Sequence, residues 1–160
     1  MKAENTMMHI VRLTVTLLAI CAVLAGVNMI TKDAIAANQE KKTQDALAVV
    51  LPEAGDLQKV ELSEDTGIVS EVYSDGISFA VKVLPGGFDG EITMMVGISE
   101  GKVSGISVIS HTETPGLGAV AAAQNAKGDA FRGQFVGQSG SVAVSKDGGT
   151  LDAITGATIT

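Results

Sequence analysis

Between Leu13 and Ile30 the chain carries no charged side chain, and from Ile10 onward it reads Ile-Val-Arg-Leu-Thr-Val-Thr-Leu-Leu-Ala-Ile-Cys-Ala-Val-Leu-Ala-Gly-Val-Asn-Met-Ile. A helix of about 20 residues, rising about 1.5 Å per residue, matches a hydrocarbon core of about 30 Å. One such run spans a membrane once and leaves the remaining sequence to fold in water. Arg12 stands where its side chain snorkels to the amino-terminal interface, and Lys32-Asp33 mark the other end. The predicted organisation is a tail over residues 1–9, a transmembrane helix over 10–30, a helical extension over 31–52 and a folded domain over 53–160.

Two processing signals resemble parts of this segment. A cleavable signal peptide has a shorter apolar core and a small-x-small site; Ala34-Ile35-Ala36 offers the site, but beyond Lys32-Asp33 and after a longer run. A lipoprotein signal places its cysteine after a small residue, whereas Ile20 precedes Cys21, which therefore reads as a small hydrophobe within the span. Lys2 and Arg12 precede the span and Lys32, Lys41 and Lys42 follow it, so charge bias decides little about orientation. A short tail before a long domain favours export of the domain, because long domains translocate largely regardless of charge. Gly26 and Asn28 read as helix-packing positions against neighbouring spans.

Composition removes several function classes. Nearly half of the 160 residues are hydrophobic, which excludes a disordered chain and allows one domain besides the span. A net charge of −7 with no basic cluster speaks against a nucleic-acid partner. One cysteine excludes an internal disulfide, a four-thiolate iron–sulfur centre and a structural zinc site within this chain, and His9 and His111 are too separated for a metal cage. No metal site is expected. Any redox chemistry calls for an organic carrier.

Residues 31–51 are polar with apolar positions at Ala34, Ile35, Leu47, Val50 and Leu51, as in a helix, and Pro52 stops it. Alternation then takes over at Val60-Leu62, Ile68-Val69 with Val72, Phe79-Val81-Val83, Ile92 to Ile98 and Val103 to Ile109. Turn residues separate these strands at Asp75-Gly76, Pro85-Gly86-Gly87, Asp89-Gly90 and Glu100-Gly101. Ala119–Ala126 is a helix candidate, and Val142-Val144 and Leu151-Ala153-Ile154 flank Lys146-Asp147-Gly148-Gly149 as a hairpin. The fold class is α+β, an antiparallel sheet with flanking helices. Of Met94-Met95, alternation sends one side chain into the core and the other out.

Two short stretches carry chemical interest. His111-Thr112-Glu113-Thr114-Pro115-Gly116-Leu117-Gly118 contains Pro-Gly at the centre of a tight turn, where proline presets φ and glycine takes the positive φ that follows. Gly118 can open a helix whose first amides are free. Near the end, Asp152-Ala153-Ile154-Thr155-Gly156-Ala157-Thr158 sets a threonine hydroxyl behind two small residues, so that it and the neighbouring amides are approachable. Each stretch alone is also consistent with a strand-to-helix turn and a small-residue strand end that serve structure only.

Together, in this order, they resemble the FMN-binding domain of the G subunit of the Rnf complex and of the C subunit of the sodium-pumping NADH:quinone reductase. The likeness covers nearly the whole chain: the span, the helix ending at Val50-Leu51-Pro52, Gly86-Gly87-Phe88-Asp89-Gly90 before Met94-Met95-Val96-Gly97-Ile98, the ETPGLG turn, Phe131-Arg132-Gly133-Gln134-Phe135, and Asp152 to Thr158. The resemblance implies that Thr158 carries FMN through a phosphoester bond, installed by a flavin transferase from FAD. It implies that Asp152, Thr155, Gly156 and Ala157 form the recognition motif around it. Glu113, Thr114, Gly116, Leu117 and Gly118 match a flavin-contacting loop in which Leu117 packs on the ring. Tyr73 and phenylalanines such as Phe88 are the aromatic candidates for stacking.

The implied function is electron transfer without a catalytic residue of its own, within a translocase that passes electrons between ferredoxin and NAD and exports sodium or protons. HTETPGLGA leans the resemblance towards Rnf over the quinone reductase. Its partners are the other membrane and soluble subunits, the transferase and membrane lipid, and its place is the cytoplasmic (inner) membrane, single-pass, with the FMN domain on the extracytoplasmic side. Members of the family usually continue beyond Thr158 into a further helix, whereas this sequence stops at Thr160, so the expectation is a fragment or a chain given without its tail. A membrane-tethered binding or scaffold domain without cofactor is the reading from another class.

Overall fold

The computed structural model describes residues 2–62 and 67–157, the first five of them by backbone alone. The order of elements is α1 (Lys2–Val50), β1 (Gln58–Val60), β2 (Val69–Ser74), β3 (Phe79–Val83), β4 (Thr93–Ser99), β5 (Lys102–Ser110), a 3-10 turn over Gly118–Ala122, α2 (Ala126–Gly133) and a second 3-10 turn over Ser145–Asp147. The chain divides into two compact units, one ending at Lys41 and one beginning at Lys42.

The first unit is helix. Its apolar residues face outward all round, with Leu13, Leu17, Leu18, Val23 and Leu24 each more than half exposed. The apolar stretch has a mean hydropathy of 2.4, and α1 is the one helix among the described residues long and apolar enough to cross a membrane. The Thr14, Thr16 and Thr31 hydroxyls donate to the carbonyls of Ile10, Arg12 and Val27. Such back-bonding satisfies a hydroxyl within the helix itself, which a lipid environment demands.

The second unit is a five-stranded antiparallel sheet in the order β1-β2-β3-β4-β5, so each strand pairs with its neighbour in sequence. The α+β class therefore holds, as five strands with helices at either end of the sequence. Thr43, Ala46, Leu47 and Val50 on the last turns of α1 are buried, an i, i+3, i+4, i+7 stripe. With Leu51 the apolar members pack against Tyr73, Ala80 and Met95 to form the core. A cross-strand row runs Tyr73, Ala80, Gly97, Gly105 from β2 to β5. Its small end admits the helix. A Cβ at Gly97 would strike the Val50 carbonyl, one at Gly105 would lie 3.1 Å from the Val50 Cα, and the Ser104 hydroxyl donates to the Val50 carbonyl at 2.6 Å. That bond satisfies a carbonyl the helix end leaves open. Met95 is fully buried and Met94 is not, as alternation requires.

Three expectations are corrected. The predicted 119–126 helix is a 3-10 turn followed by a break: Ala123 is extended, and Asn125 caps α2 by accepting from the Lys127 and Gly128 amides at 3.0 and 3.1 Å. Asn at the cap competes with helix continuation and restarts it. The predicted hairpin around residues 146–149 is a parallel bridge between Val144 and Leu151. The 3-10 turn and left-handed Gly148 carry the chain round so that the Ser145 amide donates to the Leu151 carbonyl and the Leu151 amide to Ala143. Tyr73 belongs to the core, its hydroxyl donating to Glu71 at 3.1 Å, and so offers no stacking face.

Candidate functional site

The site begins where β5 ends. After Ser110 the chain enters the turn Thr114-Pro115-Gly116-Leu117, closed by the Leu117 amide donating to the Thr114 carbonyl at 3.2 Å, with Gly116 at φ 82°. The positive φ at the third position is what Pro-Gly predicts. Thr114 through Leu117 are exposed, and Gly118 is buried at the start of its 3-10 turn.

Glu113 is buried, and its carboxylate accepts the Asp89 amide at 3.1 Å, while the Thr112 hydroxyl donates to the Asp89 carbonyl at 2.8 Å. Both backbone groups of Asp89 are thus held by the segment that leads into the ETPGLG turn. The Gly86–Gly90 turn closes on itself through Gly87 amide to Gly90 carbonyl at 2.7 Å. A Cβ at Gly87 would overlap the Glu113 carboxylate, so a side chain there would displace Glu113 from its place over the turn. Glu113 is a structural tie in this geometry, and Phe88, on the tied turn, is 71% exposed.

The second stretch is a turn and not the end of a strand. The Ala157 amide donates to the Ile154 carbonyl at 3.1 Å, and Gly156 occupies the third position at φ 81°. It repeats the geometry of the first turn, with glycine again at the position needing positive φ. The two turns touch: Leu117 Cδ2 lies 2.9 Å from where a Cβ on Gly156 would be. Residues far apart in sequence, Leu117 and Thr155-Gly156-Ala157, therefore share one edge of the domain. Thr158 lies outside the described residues.

Several known proteins are similar to this chain. The FMN-binding domain family matches residues 87–160, which begin at the Gly87 turn and include both motifs. The G subunit of the proton-translocating ferredoxin:NAD(+) oxidoreductase complex of Clostridium ljungdahlii is 33% identical, over 99% of this chain and 86% of the relative. The chain belongs to the G-subunit family of ion-translocating oxidoreductase complexes. The family member from the ion-translocating oxidoreductase complex of Methanosarcina acetivorans is 32% identical over 94% of this chain and 86% of its own length. Its counterpart in the Na(+)-translocating ferredoxin:NAD(+) oxidoreductase complex of Acetobacterium woodii is 32% identical over 91% of this chain and 79% of its own length. Membership makes this chain an electron-transport flavoprotein of a multi-subunit membrane complex, and α1 supplies the single candidate span among the described residues.

The residues present fit FMN. Leu117, 42% exposed, offers an apolar contact beside two turns built from small and hydroxyl-bearing residues. Neither His111–Gly118 nor Asp152–Ala157 contains Lys or Arg, and the 3-10 turn at Gly118 is too short to act as an anion-binding helix.

The intervening FRGQF stretch has no role readable from its residues alone, and the structure supplies one. Arg132 Nη1 donates to the carbonyls of Ala121 and Ala123 at 2.6 and 3.1 Å, tying α2 to the turn that follows ETPGLG. Gln134 accepts the Asp152 amide at 2.6 Å through Oε1 and donates to the Asp152 carbonyl at 3.3 Å through Nε2. Phe131 and Phe135 pack edge to face with centroids 5.5 Å apart. Propensity and periodicity assign no partner to a helix-end glutamine, so only the position of the motif between the two turns could have pointed to it.

Proposed function

We propose that this chain is the membrane-anchored, covalently flavinylated electron carrier of an Rnf-type complex that couples ferredoxin:NAD+ electron transfer to sodium or proton export. The observation that carries the reading is the contact of the ETPGLG turn with the Thr155-Gly156-Ala157 turn through Leu117 and Gly156. It brings the ring-contact candidates and the attachment motif to one edge, and the names of the relatives support the complex.

In this reading the Thr158 hydroxyl oxygen attacks the flavin-side phosphorus of FAD in a flavin transferase. The new Thr158 O–P bond forms, the P–O bond to AMP breaks, AMP leaves, and the hydroxyl proton passes to the transferase. A threonine hydroxyl is a weak nucleophile at neutral pH, so activation comes from the transferase, while Gly156 and Ala157 leave room for approach. Bound FMN supplies one- and two-electron redox chemistry. Leu117 and the Thr114–Leu117 turn orient the ring, Thr155 and Asp152 serve recognition by the transferase, and the ester keeps the cofactor from being lost. The span sets the domain beside partner subunits on the extracytoplasmic side of the inner membrane. The subunit relays electrons and turns over no substrate alone.

The test is the full chain coexpressed with an active flavin transferase, denatured and resolved on a gel. A fluorescent flavin band that Thr158→Ala abolishes is the expected result; a dark wild-type band refutes covalent FMN and favours a scaffold. Copurifying subunits distinguish Rnf from the quinone reductase.

A further inference from the structure

We propose that Gln134 is a positioning residue for flavin attachment: its carboxamide holds the Asp152 backbone in one fixed conformation, so that the Asp152 carboxylate and the turn ahead of Thr158 are presented to the transferase. The inference rests on the reading that Thr158 carries FMN.

Its basis is the way a side chain replaces a strand. Gln134 Oε1 takes the Asp152 amide and Nε2 gives to the Asp152 carbonyl, the pairing a neighbouring peptide would make. The orientation of the amide is set, because a backbone N–H can only donate. Asp152 itself is exposed, so its backbone is clamped while its side chain faces solvent. Clamping starts where regular structure stops: Leu151 is buried and bridged to Val144, and no strand continues beyond it among the described residues.

Gln134 is in turn held from behind. Gln138 Nε2 donates to the Gln134 carbonyl at 3.4 Å, and the Gln138 carbonyl accepts the amide of Val103 on β5 at 2.9 Å. Two residues earlier, Arg132 grips Ala121 and Ala123, just past ETPGLG. One short segment therefore holds the elements on both sides of the Leu117–Gly156 contact and refers them to β5. A pre-set acceptor loses less conformational freedom on entering the transferase, which lowers the barrier to transfer.

The test uses the full chain in detergent micelles, without flavin, in two arms. Amide hydrogen exchange reads the clamp directly: Gln134→Met is expected to exchange at Asp152 about tenfold faster, with β2–β5 protection unchanged. Transfer from FAD by the flavin transferase, followed by in-gel fluorescence, is expected to lose about tenfold in kcat with KM changed less. Gln134→Glu keeps the acceptor for the Asp152 amide and is expected to recover to within about threefold of wild type. A wild-type transfer rate in folded Gln134→Met overturns the proposal, as does loss of β2–β5 protection in both variants, which makes Gln134 merely structural. If wild-type protein accepts no flavin from an active transferase, the attachment reading fails instead, and the exchange arm still judges the clamp.

Discussion

Leu117 closes on Gly156 so tightly that a Cβ on the glycine would lie 2.9 Å from Leu117 Cδ2, in a backbone conformation, φ 81°, that side-chain-bearing residues rarely adopt. Both facts act against substitution. Gly156→Ala costs roughly 1–2 kcal/mol from the left-handed conformation alone, and Leu117 must shift besides. The expected outcome is a lower midpoint in urea and slower flavin attachment. Gly55→Ala, with open space and no positive φ, is the contrast and leaves the midpoint near wild type.

Gly97 faces the end of α1. Gly97→Ala drives a methyl into the Val50 carbonyl and the Ser104 hydroxyl, where backbone on one side cannot yield cheaply. Overpacking of this kind costs about 1–3 kcal/mol. Thermal or denaturant unfolding of the full chain in micelles, followed by far-UV circular dichroism of the sheet, is expected to show that loss. An unchanged midpoint would contradict the close seating of Val50.

Glu71 links three strands, pairing with Lys59 on β1 and with Lys82 on β3 at 2.9 Å. Burial raises the affinity of its carboxyl for a proton, but the hydrogen bonds from Lys59 and Lys82, the Lys82 charge and the Tyr73 hydroxyl outweigh it and bring its pKa down to about 2 from 4.5. A depressed folded-state pKa means a contribution fully present above the unfolded value and lost as pH falls through the folded one. Acid unfolding curves are therefore expected to show wild type losing stability between about pH 4.5 and pH 2 relative to Glu71→Gln. Parallel curves across that window would refute the linkage.

Glu113→Ala leaves the Asp89 amide without its acceptor and opens space over Gly87. An amide left unpaired costs about 1–3 kcal/mol. Hydrogen exchange at Asp89 is the sensitive measure, and it is expected to rise in Glu113→Ala and stay near wild type in Glu113→Gln, which retains an acceptor oxygen. Equal exchange in all three proteins would remove Glu113 as the tie.

Much was legible in local chemistry. The uncharged run from Leu13 to Ile30 needs no partner to declare a span, and the alternation through Phe79-Val81-Val83 declares a strand because period and burial are one observation. Pro115-Gly116 likewise announced its turn, since proline and glycine restrict φ by themselves. Family likeness added the flavin, on residues whose order in the chain carries the information. Elsewhere local signals misled: alanine-rich residues 119–126 read as one helix, yet Asn125 restarts it, and residues 142–154 read as a hairpin although the bridge is parallel.

By itself, then, the sequence determined the apolar candidate span, the sheet, the glycine turns and the family, because each depends on interactions within a few residues or on an ordered set of motifs. Tertiary structure alone decided that Glu113 turns inward to Asp89, that Tyr73 is core, that Gln134 pairs with Asp152, and that Leu117 meets Gly156. Such contacts join residues distant in the chain, and their partners are selected by how the elements pack, which no short-range pattern encodes.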